Sequence, residues 1–413
     1  MISFSRFTLP NGLRVIHHHD PGTAMVAVNL LYNVGARDEH PSQTGLAHLF
    51  EHLMFGGSAN IPSFDAAIER AGGMNNAWTS NDFTNFYDIV PAANVETAFW
   101  LESDRMLGLA FSEKSLEVQR NVVIEEFKQV CLNRPYGQLG HELRALLYDV
   151  HPYRWPVIGL DFSHIASVSL ADERRFFLSH YAPNNAVLAV AGNVTLERVR
   201  ELAEKWFAPI PRREIAPRTY PAEAPILSPR RKVITGLAPQ TAVYIAFPMP
   251  GYGHPDFIPC DLITDILASG RSSRMFRNLV MPGTLFSEAD ASIAGSEEPG
   301  YLLLSGKLLA EGPEAEAQAE QLLLDQAASI VSDGVTPREL ERAVNRFESN
   351  HTFSSMSFLA KATQLARAEM HGEDINTIVG RYRSITPADI DRAARAVLRP
   401  QSTATIIYRP KKM

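Results

Sequence analysis

The sequence predicts an α+β protein made of two homologous α/β sandwich domains, each an antiparallel sheet with helices packed on one face. Three observations predict this class. In the first half, strands come first, helices follow and a strand closes the series. A proline-rich stretch lies near the middle of the chain. A helix-start pattern at residues 169–172 recurs 217 residues later, at residues 386–389. The 413 residues allow two or three domains at about 150 residues per domain.

Composition and charge exclude several classes of protein. The hydrophobic fraction is 45% and the charged fraction is 21%, values typical of a globular chain. The net charge is −7, and no block of five like charges occurs, so we expect no nucleic-acid partner. The two cysteines, Cys131 and Cys260, lie in different halves and give no disulfide framework.

Hydropathy gives no indication of a membrane protein. No run reaches about 18 consecutive apolar residues, so we expect no membrane span. The first residues lack a basic region followed by a long apolar core, which is the pattern of a secretory leader. We therefore expect a cytoplasmic protein, with a periplasmic location possible if a leader has been removed.

The elements of the first half follow from turn and cap signals. A Pro-Asn-Gly turn at 10–12 joins two strands of a hairpin, and Thr44 is the expected N-cap of the first helix. Glycine pairs at 56–57 and 72–73 end the first two helices. We predict strands over 4–9, 13–18 and 26–33, helices over 44–57 and 62–71, paired strands over 77–90, helices over 93–110, 112–132 and 170–181, and a strand over 186–191.

A linker and an internal repeat define the domains. Six prolines between residues 208 and 229 predict an exposed connection. Ser169-Leu-Ala-Asp and Thr386-Pro-Ala-Asp each precede a helix, and in both a proline stands eleven residues after the aspartate, before an apolar strand. This repeat favours duplication of one fold. The predicted domains are 1–208 and 231–413, joined by a linker over 209–230.

The first capped helix contains the motif His48-Leu-Phe-Glu51-His52. Histidines at i and i+4 leave the same helix face and can reach one ion. Two imidazoles and a carboxylate form a known catalytic zinc set, and Glu51 could serve as a general base. The alternative is a set of surface polar residues. The rest of the helix is apolar, however, and polar groups on a buried helix need partners.

The order His-x-x-Glu-His is the inverse of the common zinc-protease motif. With its surroundings, it makes the chain resemble the pitrilysin, insulin-degrading enzyme and mitochondrial processing peptidase family. The segments that carry the resemblance are 45–57, 72–80 with Asp82, Thr84 and Tyr87, 120–126, and 270–274. The resemblance spans nearly the whole chain. It implies two similar domains that form half of a clam-shell chamber for peptides.

The resemblance also implies roles for individual residues. The ligands of one zinc ion per chain fall on His48, His52 and Glu126, and the general base falls on Glu51. Glu125 is the rival third ligand, because only one of two adjacent helical side chains can face the metal. Seven residues before Glu126 the family usually has a glutamate, and here Gln119 stands there, which removes a charge that could tune the ligand.

Residues 75–80 are expected to form an exposed strand edge. In the family such an edge pairs with the substrate backbone, which gives affinity without demanding a particular sequence. Asn75, Asn76 and Ala77 are the candidates for contacts with a peptide substrate. An ordinary hairpin with its turn at 80–82 is compatible with the same pattern.

The second half lacks two residues that active family members usually use, an arginine and a tyrosine. Val280 and Phe286 stand in their places. We therefore expect a zinc metalloendopeptidase subunit that cleaves extended peptides or unfolded segments. It would pair with a homologous subunit carrying the arginine and tyrosine, with a homodimer as second choice. The alternative is a non-catalytic assembly subunit of the same family.

Overall fold

The structure, a computed structural model, describes residues 1–411, which form eleven strands and fourteen α-helices. The strands are β1 (Ser5–Thr8), β2 (Arg14–His19), β3 (Met25–Tyr32), β4 (Met74–Thr79), β5 (Thr84–Pro91), β6 (Ala186–Gly192), β7 (Arg230–Gly236), β8 (Ala242–Met249), β9 (Phe286–Ala294), β10 (Gly300–Leu308) and β11 (Ala404–Pro410). The helices are α1 (Leu46–Leu53), α2 (Phe64–Arg70), α3 (Val95–Leu107), α4 (Glu113–Phe127), α5 (Leu139–Leu147), α6 (Phe162–Ala166), α7 (Leu170–His180), α8 (Leu196–Trp206), α9 (Phe257–Ala268), α10 (Pro313–Ser332), α11 (Pro337–Ser354), α12 (Phe358–His371), α13 (Ile378–Arg383) and α14 (Pro387–Val397).

The predicted elements of the first half are present with two changes. The paired strands begin at Met74, three residues earlier than expected. The helix predicted over 112–132 is α-helical only to Phe127 and continues as a π-helical segment over Lys128–Leu132. The hydrogen bonding changes from α-helical to π-helical at Lys128, two residues after Glu126. The helix therefore changes its winding close to the candidate ligand.

The chain folds into two compact units that are not contiguous in sequence. The first unit contains Met1–Glu126, Trp155–Tyr220 and Asn350–Ile378. The second contains Phe127–Arg154, Pro221–Ser349 and the chain from Val379 onward. These units differ from the contiguous domains 1–208 and 231–413 that the sequence predicts, because one segment of each half belongs to the unit of the other half.

The first unit has a six-stranded sheet in the order β1-β2-β6-β3-β5-β4. Four of its five strand pairs are antiparallel, and β2 and β6 run parallel. The α+β class is confirmed, but the prediction of a purely antiparallel sheet is wrong at this pair. A parallel pair needs a long connection, and here most of the unit lies between β2 and β6.

The second unit repeats the same topology with five strands. Its order β7-β11-β8-β10-β9 matches β2-β6-β3-β5-β4, and its first pair is again parallel. The two predicted helix starts are both capping boxes. Ser169 with Asp172 begins α7, and Thr386 with Asp389 begins α14. Equal strand order and equal caps at equal positions support duplication of one fold.

Each sheet is covered by helices on both faces, so the prediction of helices on one face is wrong. In the first unit, one face packs against the large core that includes α1 and α3. The other face packs against α12, whose Ala362, Leu365 and Ala366 are buried with Ile16 and Leu31. In the second unit, α5 covers the sheet in the same way through buried leucines. Each covering helix comes from the opposite half of the sequence.

The proline-rich linker is exposed at most of its positions, but a few of its side chains are packed. Ile210 is buried in the core of the first unit, and Ile226 is buried in a core of the second. Arg218 forms an ion pair with Asp38 at 2.5 Å in the first unit. The expectation of an exposed connection is therefore wrong at these positions, because prolines restrict the backbone without preventing neighbouring side chains from packing.

Candidate metal centre

The motif helix α1 begins at a buried acidic cap. Gly45 is its N-cap with a φ of 86°, a left-handed conformation that favours glycine. The carboxylate of Glu39 accepts hydrogen bonds from the backbone N–H groups of Gly45 and Ala47, both at 2.8 Å. Burial raises the pKa of Glu39 well above its usual range, although these two hydrogen bonds oppose the shift. The cap fixes where α1 starts and therefore where its histidines lie.

Thr44 is not the N-cap that the sequence predicts. Its hydroxyl lies 2.8 Å from Nδ1 of His164 and accepts a hydrogen bond from the backbone N–H of Leu160 at 2.8 Å. A local sequence pattern cannot reveal that Glu39, six residues before the N-cap Gly45, supplies the carboxylate. Glu39 is thus a residue of the site that sequence reasoning missed.

The helix α1 separates a buried apolar face from a polar face. Leu46, Leu49, Phe50 and Leu53 are buried in the core of the first unit. On the other face the rings of His48 and His52 lie with their centroids 4.9 Å apart. The i, i+4 spacing thus brings the two imidazoles together, as the motif predicts.

The helix α4 brings a carboxylate to these imidazoles. Oε2 of Glu126 lies 3.1 Å from Nε2 of His48 and 3.3 Å from Nε2 of His52. One donor atom from each of the three residues lies within 4.8 Å of the others. Donors about 2.0–2.1 Å from a tetrahedral zinc ion lie roughly 3.3 Å from one another, so the donor set fits zinc. Glu125 is exposed and is not part of this cluster.

The charges of the three side chains are strongly coupled. Burial by itself lowers the pKa of His48, but hydrogen bonds to Glu126 and Glu51 outweigh it and raise that pKa to about 9. Hydrogen bonds from His48 and then His52 hold the pKa of Glu126 well below its usual range. A proton on His48 therefore balances the charge of the Glu126 carboxylate where a cation would otherwise do so.

Glu51 lies on α1, and two neighbouring side chains contact one of its carboxylate oxygens. Its Oε2 lies 3.5 Å from Nδ1 of His48 and accepts a hydrogen bond from Oγ1 of Thr79 at 2.7 Å. The Glu51 side chain is 15% exposed. Thr79 was missed from the sequence. The signal that could have found it is strand alternation, which places residues 75, 77 and 79 on one face of β4.

The strand β4 lies at the edge of its sheet, next to α1. Nδ2 of Asn75 donates to Oδ1 of Asp65 at 3.2 Å. The backbone N–H of Ala77 donates to Oδ1 of Asn76 at 2.8 Å. The role of these three residues in holding a peptide stays a prediction.

The remaining predicted residues lie in two places. Gln119 lies on α4, two helical turns before Glu126. Its amide nitrogen approaches Gly56, just after α1, and would lie 3.8 Å from a Cβ atom added to that glycine. In the second unit, Val280 ends a π-helical segment, and Phe286, at the start of β9, is buried.

Comparison with known proteins decides the family. The model described as Insulinase (Peptidase family M16) matches residues 14–151, and the model described as Peptidase M16 inactive domain matches residues 167–347. The chain belongs to peptidase family M16. The zinc protease PqqE of Helicobacter pylori is 28% identical to it, over 98% of this chain and 92% of the relative. An uncharacterized zinc protease of Bacillus subtilis, YmxG, is 24% identical over 88% of each chain.

Solved structures of other proteins share the fold. A protease from Helicobacter pylori superposes with a TM-score of 0.92 at 25% identity and covers 99% of this chain and 100% of its own. Pitrilysin superposes with a TM-score of 0.81 at 17% identity, over 100% of this chain and 45% of its own. The M16 chain thus corresponds in fold to about half of pitrilysin. Within residues 1–411, no helix is both long enough and apolar enough to cross a membrane.

Proposed function

We propose that this M16 chain is a zinc metalloendopeptidase subunit that hydrolyses peptide bonds in extended oligopeptides or unfolded segments. The observation that carries the proposal is the convergence of His48, His52 and Glu126 within 4.8 Å. These three residues would hold one zinc ion. The names of the relatives, zinc proteases, support the same chemistry.

The other residues of the site would perform binding and proton transfer. Zinc in such a site supplies a Lewis acid and lowers the pKa of water. Glu51 takes a proton at its carboxylate and returns it to the leaving amine. The edge strand β4 accepts the peptide as an added strand through its backbone, with Asn75, Asn76 and Ala77 as the contact residues. Gln119 keeps hydrogen-bonding capacity behind Glu126 without a charge.

The test combines metal analysis with a peptidase assay on the purified full chain. We expect about one zinc per chain, and loss of zinc in Glu126→Gln. Glu125→Gln is the matched control, since this neighbouring glutamate is exposed and outside the cluster. Glu51→Gln should keep zinc and lose hydrolysis of an unfolded peptide. Zinc retention by Glu126→Gln, or hydrolysis by Glu51→Gln at the unmodified rate, would contradict the proposed roles.

We also propose that the active form is a heterodimer with a homologous M16 subunit that supplies an arginine and a tyrosine. Val280 and Phe286 offer neither a charge nor a hydroxyl, and loss of one such donor typically slows acyl transfer by about 10²–10³-fold. A homodimer is the second choice. Copurification from the native source with mass spectrometry, and mass measurement in solution, separate the two. Full activity of the chain alone would contradict the heterodimer.

A non-catalytic assembly role is the second candidate function. The match of residues 167–347 to a model described as an inactive domain, and the missing arginine and tyrosine, favour it. Stoichiometric zinc without peptidolysis, with any copurified partner present, would support this role over the enzyme. We keep the cytoplasm as the proposed compartment, which fractionation of the native cells tests against the periplasm.

A further inference from the structure

We infer that Thr79 is a positioning residue that couples the substrate strand to the general base. This inference rests on the proposed function, in which Glu51 moves the proton and β4 holds the peptide. Its basis is the hydrogen bond from Oγ1 of Thr79 to Oε2 of Glu51, which is 2.7 Å long and joins residues 28 positions apart in the sequence. No role of Thr79 follows from the His-x-x-Glu-His motif itself.

The hydrogen bond distinguishes the two carboxylate oxygens of Glu51. Oε2 faces both Thr79 and Nδ1 of His48, whereas Oε1 accepts no hydrogen bond from the residues that the structure describes. The oxygen with free lone pairs is the one that can receive a proton from water. Thr79 thus orients the carboxylate plane, so that one oxygen is engaged by the hydroxyl and the other is left to receive the proton.

The fold fixes the position of the Thr79 hydroxyl. Thr79 is paired with Thr84 of β5 and shares a face of β4 with Ala77. Ala77 packs against the core that contains α1, while Trp78 packs against the cluster on the opposite face of the sheet. Threonine is also restricted at χ1 because it is branched at Cβ. Backbone pairing and rotamer restriction therefore aim the hydroxyl at α1.

The consequence is a mechanical link between binding and chemistry. A peptide added to β4 takes its register from the backbone of residues 75–77, and Thr79 lies two residues further along the same strand. The strand that sets where the scissile bond lies thus also sets where the base lies. A small movement of β4 therefore moves the bound peptide and the Glu51 carboxylate together and preserves the distance between them. Fast proton transfer depends on this relative position.

The test compares three variants of the full chain. Thr79→Val keeps the shape and removes the donor, Thr79→Ser keeps the donor, and Thr84→Val is the matched control. Thr84 lies on the neighbouring strand β5, and its hydroxyl donates to the backbone carbonyl of Val34 at 2.9 Å. Crystal structures, with and without zinc, report the conformation of Glu51. Zinc content, melting temperature and the kinetics of peptide hydrolysis, measured with any copurified partner, complete the comparison.

We expect Thr79→Val to show Glu51 in more than one conformation, with zinc content unchanged. Its kcat should fall about 10- to 100-fold, the usual effect of losing a hydrogen bond to a charged group, while KM changes less than about twofold. Thr79→Ser should restore both readouts, and Thr84→Val should leave the Glu51 conformation unchanged.

Two outcomes would overturn the inference: a single, unchanged Glu51 conformation in Thr79→Val, or an equal loss of kcat in Thr79→Ser. Unreduced hydrolysis by Glu51→Gln would overturn the proposed function instead. In that case, the conformation of Glu51 in Thr79→Val would still decide whether the threonine positions this carboxylate.

Discussion

Replacing Leu365 by alanine tests whether α12 completes the core of the first unit. Leu365 is fully buried in a cluster with Ile16 and Leu31 of the six-stranded sheet. The substitution removes buried carbon atoms worth about 0.8 kcal/mol each in transfer free energy. It also leaves a cavity between a helix and a sheet that have little room to collapse. Together these effects should cost about 2.5–5 kcal/mol of unfolding free energy.

Urea unfolding followed by tryptophan fluorescence measures this loss, since Trp78 packs against the same cluster. Leu178→Ala is the matched control, because Leu178 is 55% exposed on α7 and should change the free energy by less than about 0.5 kcal/mol. A loss of less than about 1 kcal/mol for Leu365→Ala would refute the argument. It would mean that the sheet of the first unit keeps its stability without close packing from α12.

Four further predictions concern ionisable side chains. The pKa of His48 is raised to about 9, so zinc must displace a proton from this imidazole below that pH. The affinity of the chain for zinc should therefore rise between about pH 6.5 and 9, by up to about tenfold per pH unit. Calorimetry in buffers of different ionisation enthalpy measures both the affinity and the released proton. In the metal-free chain, the same shift stabilises the fold fully below pH 6.5, and this contribution should be lost as pH rises through 9. Glu39→Ala removes two hydrogen bonds at the start of α1 and should lower the free energy of unfolding by about 1–2 kcal/mol and weaken zinc binding. An unchanged melting temperature and an unchanged zinc affinity would contradict the role of the cap. Burial raises the pKa of Glu173 to about 7, so its charge destabilises the fold at higher pH; Glu173→Gln should raise the melting temperature at pH 8 and have little effect at pH 4, and equal shifts at both would contradict this.

The parts of the structure that could be predicted depend on local sequence. The helix α1 with its two histidines follows from an i, i+4 pattern inside an apolar run, and the capping boxes of α7 and α14 follow from Ser/Thr-x-x-Asp. The family M16 follows from several motifs that together span the chain. The strand over residues 75–80 was expected at an exposed edge, in line with the family resemblance, and β4 lies at the edge of its sheet.

The parts that could not be predicted depend on which surfaces meet. The apolar face of α12 indicates that the helix is buried, but periodicity does not say against which sheet. The same holds for α5, so the composition of the two units was beyond the sequence. The cap by Glu39 and the hydrogen bond of Thr79 to Glu51 join residues whose spacing matches no common motif. Side-chain contacts of this kind appear only once the backbone has been placed.

The exchange of helices has a consequence for synthesis of the chain. The sheet of the first unit becomes continuous only once β6 has been made, because β6 lies between β2 and β3, yet one face of this sheet packs against α12, within residues 350–378. During translation at about 5–20 residues per second, roughly 8 to 32 seconds pass between the synthesis of residue 192 and that of residue 350, and α12 does not cover that apolar face during this time. We therefore expect this apolar face to be exposed on the nascent chain until α12 has been made. A stop codon at the proline-rich segment would yield an aggregation-prone fragment, not a small independent domain.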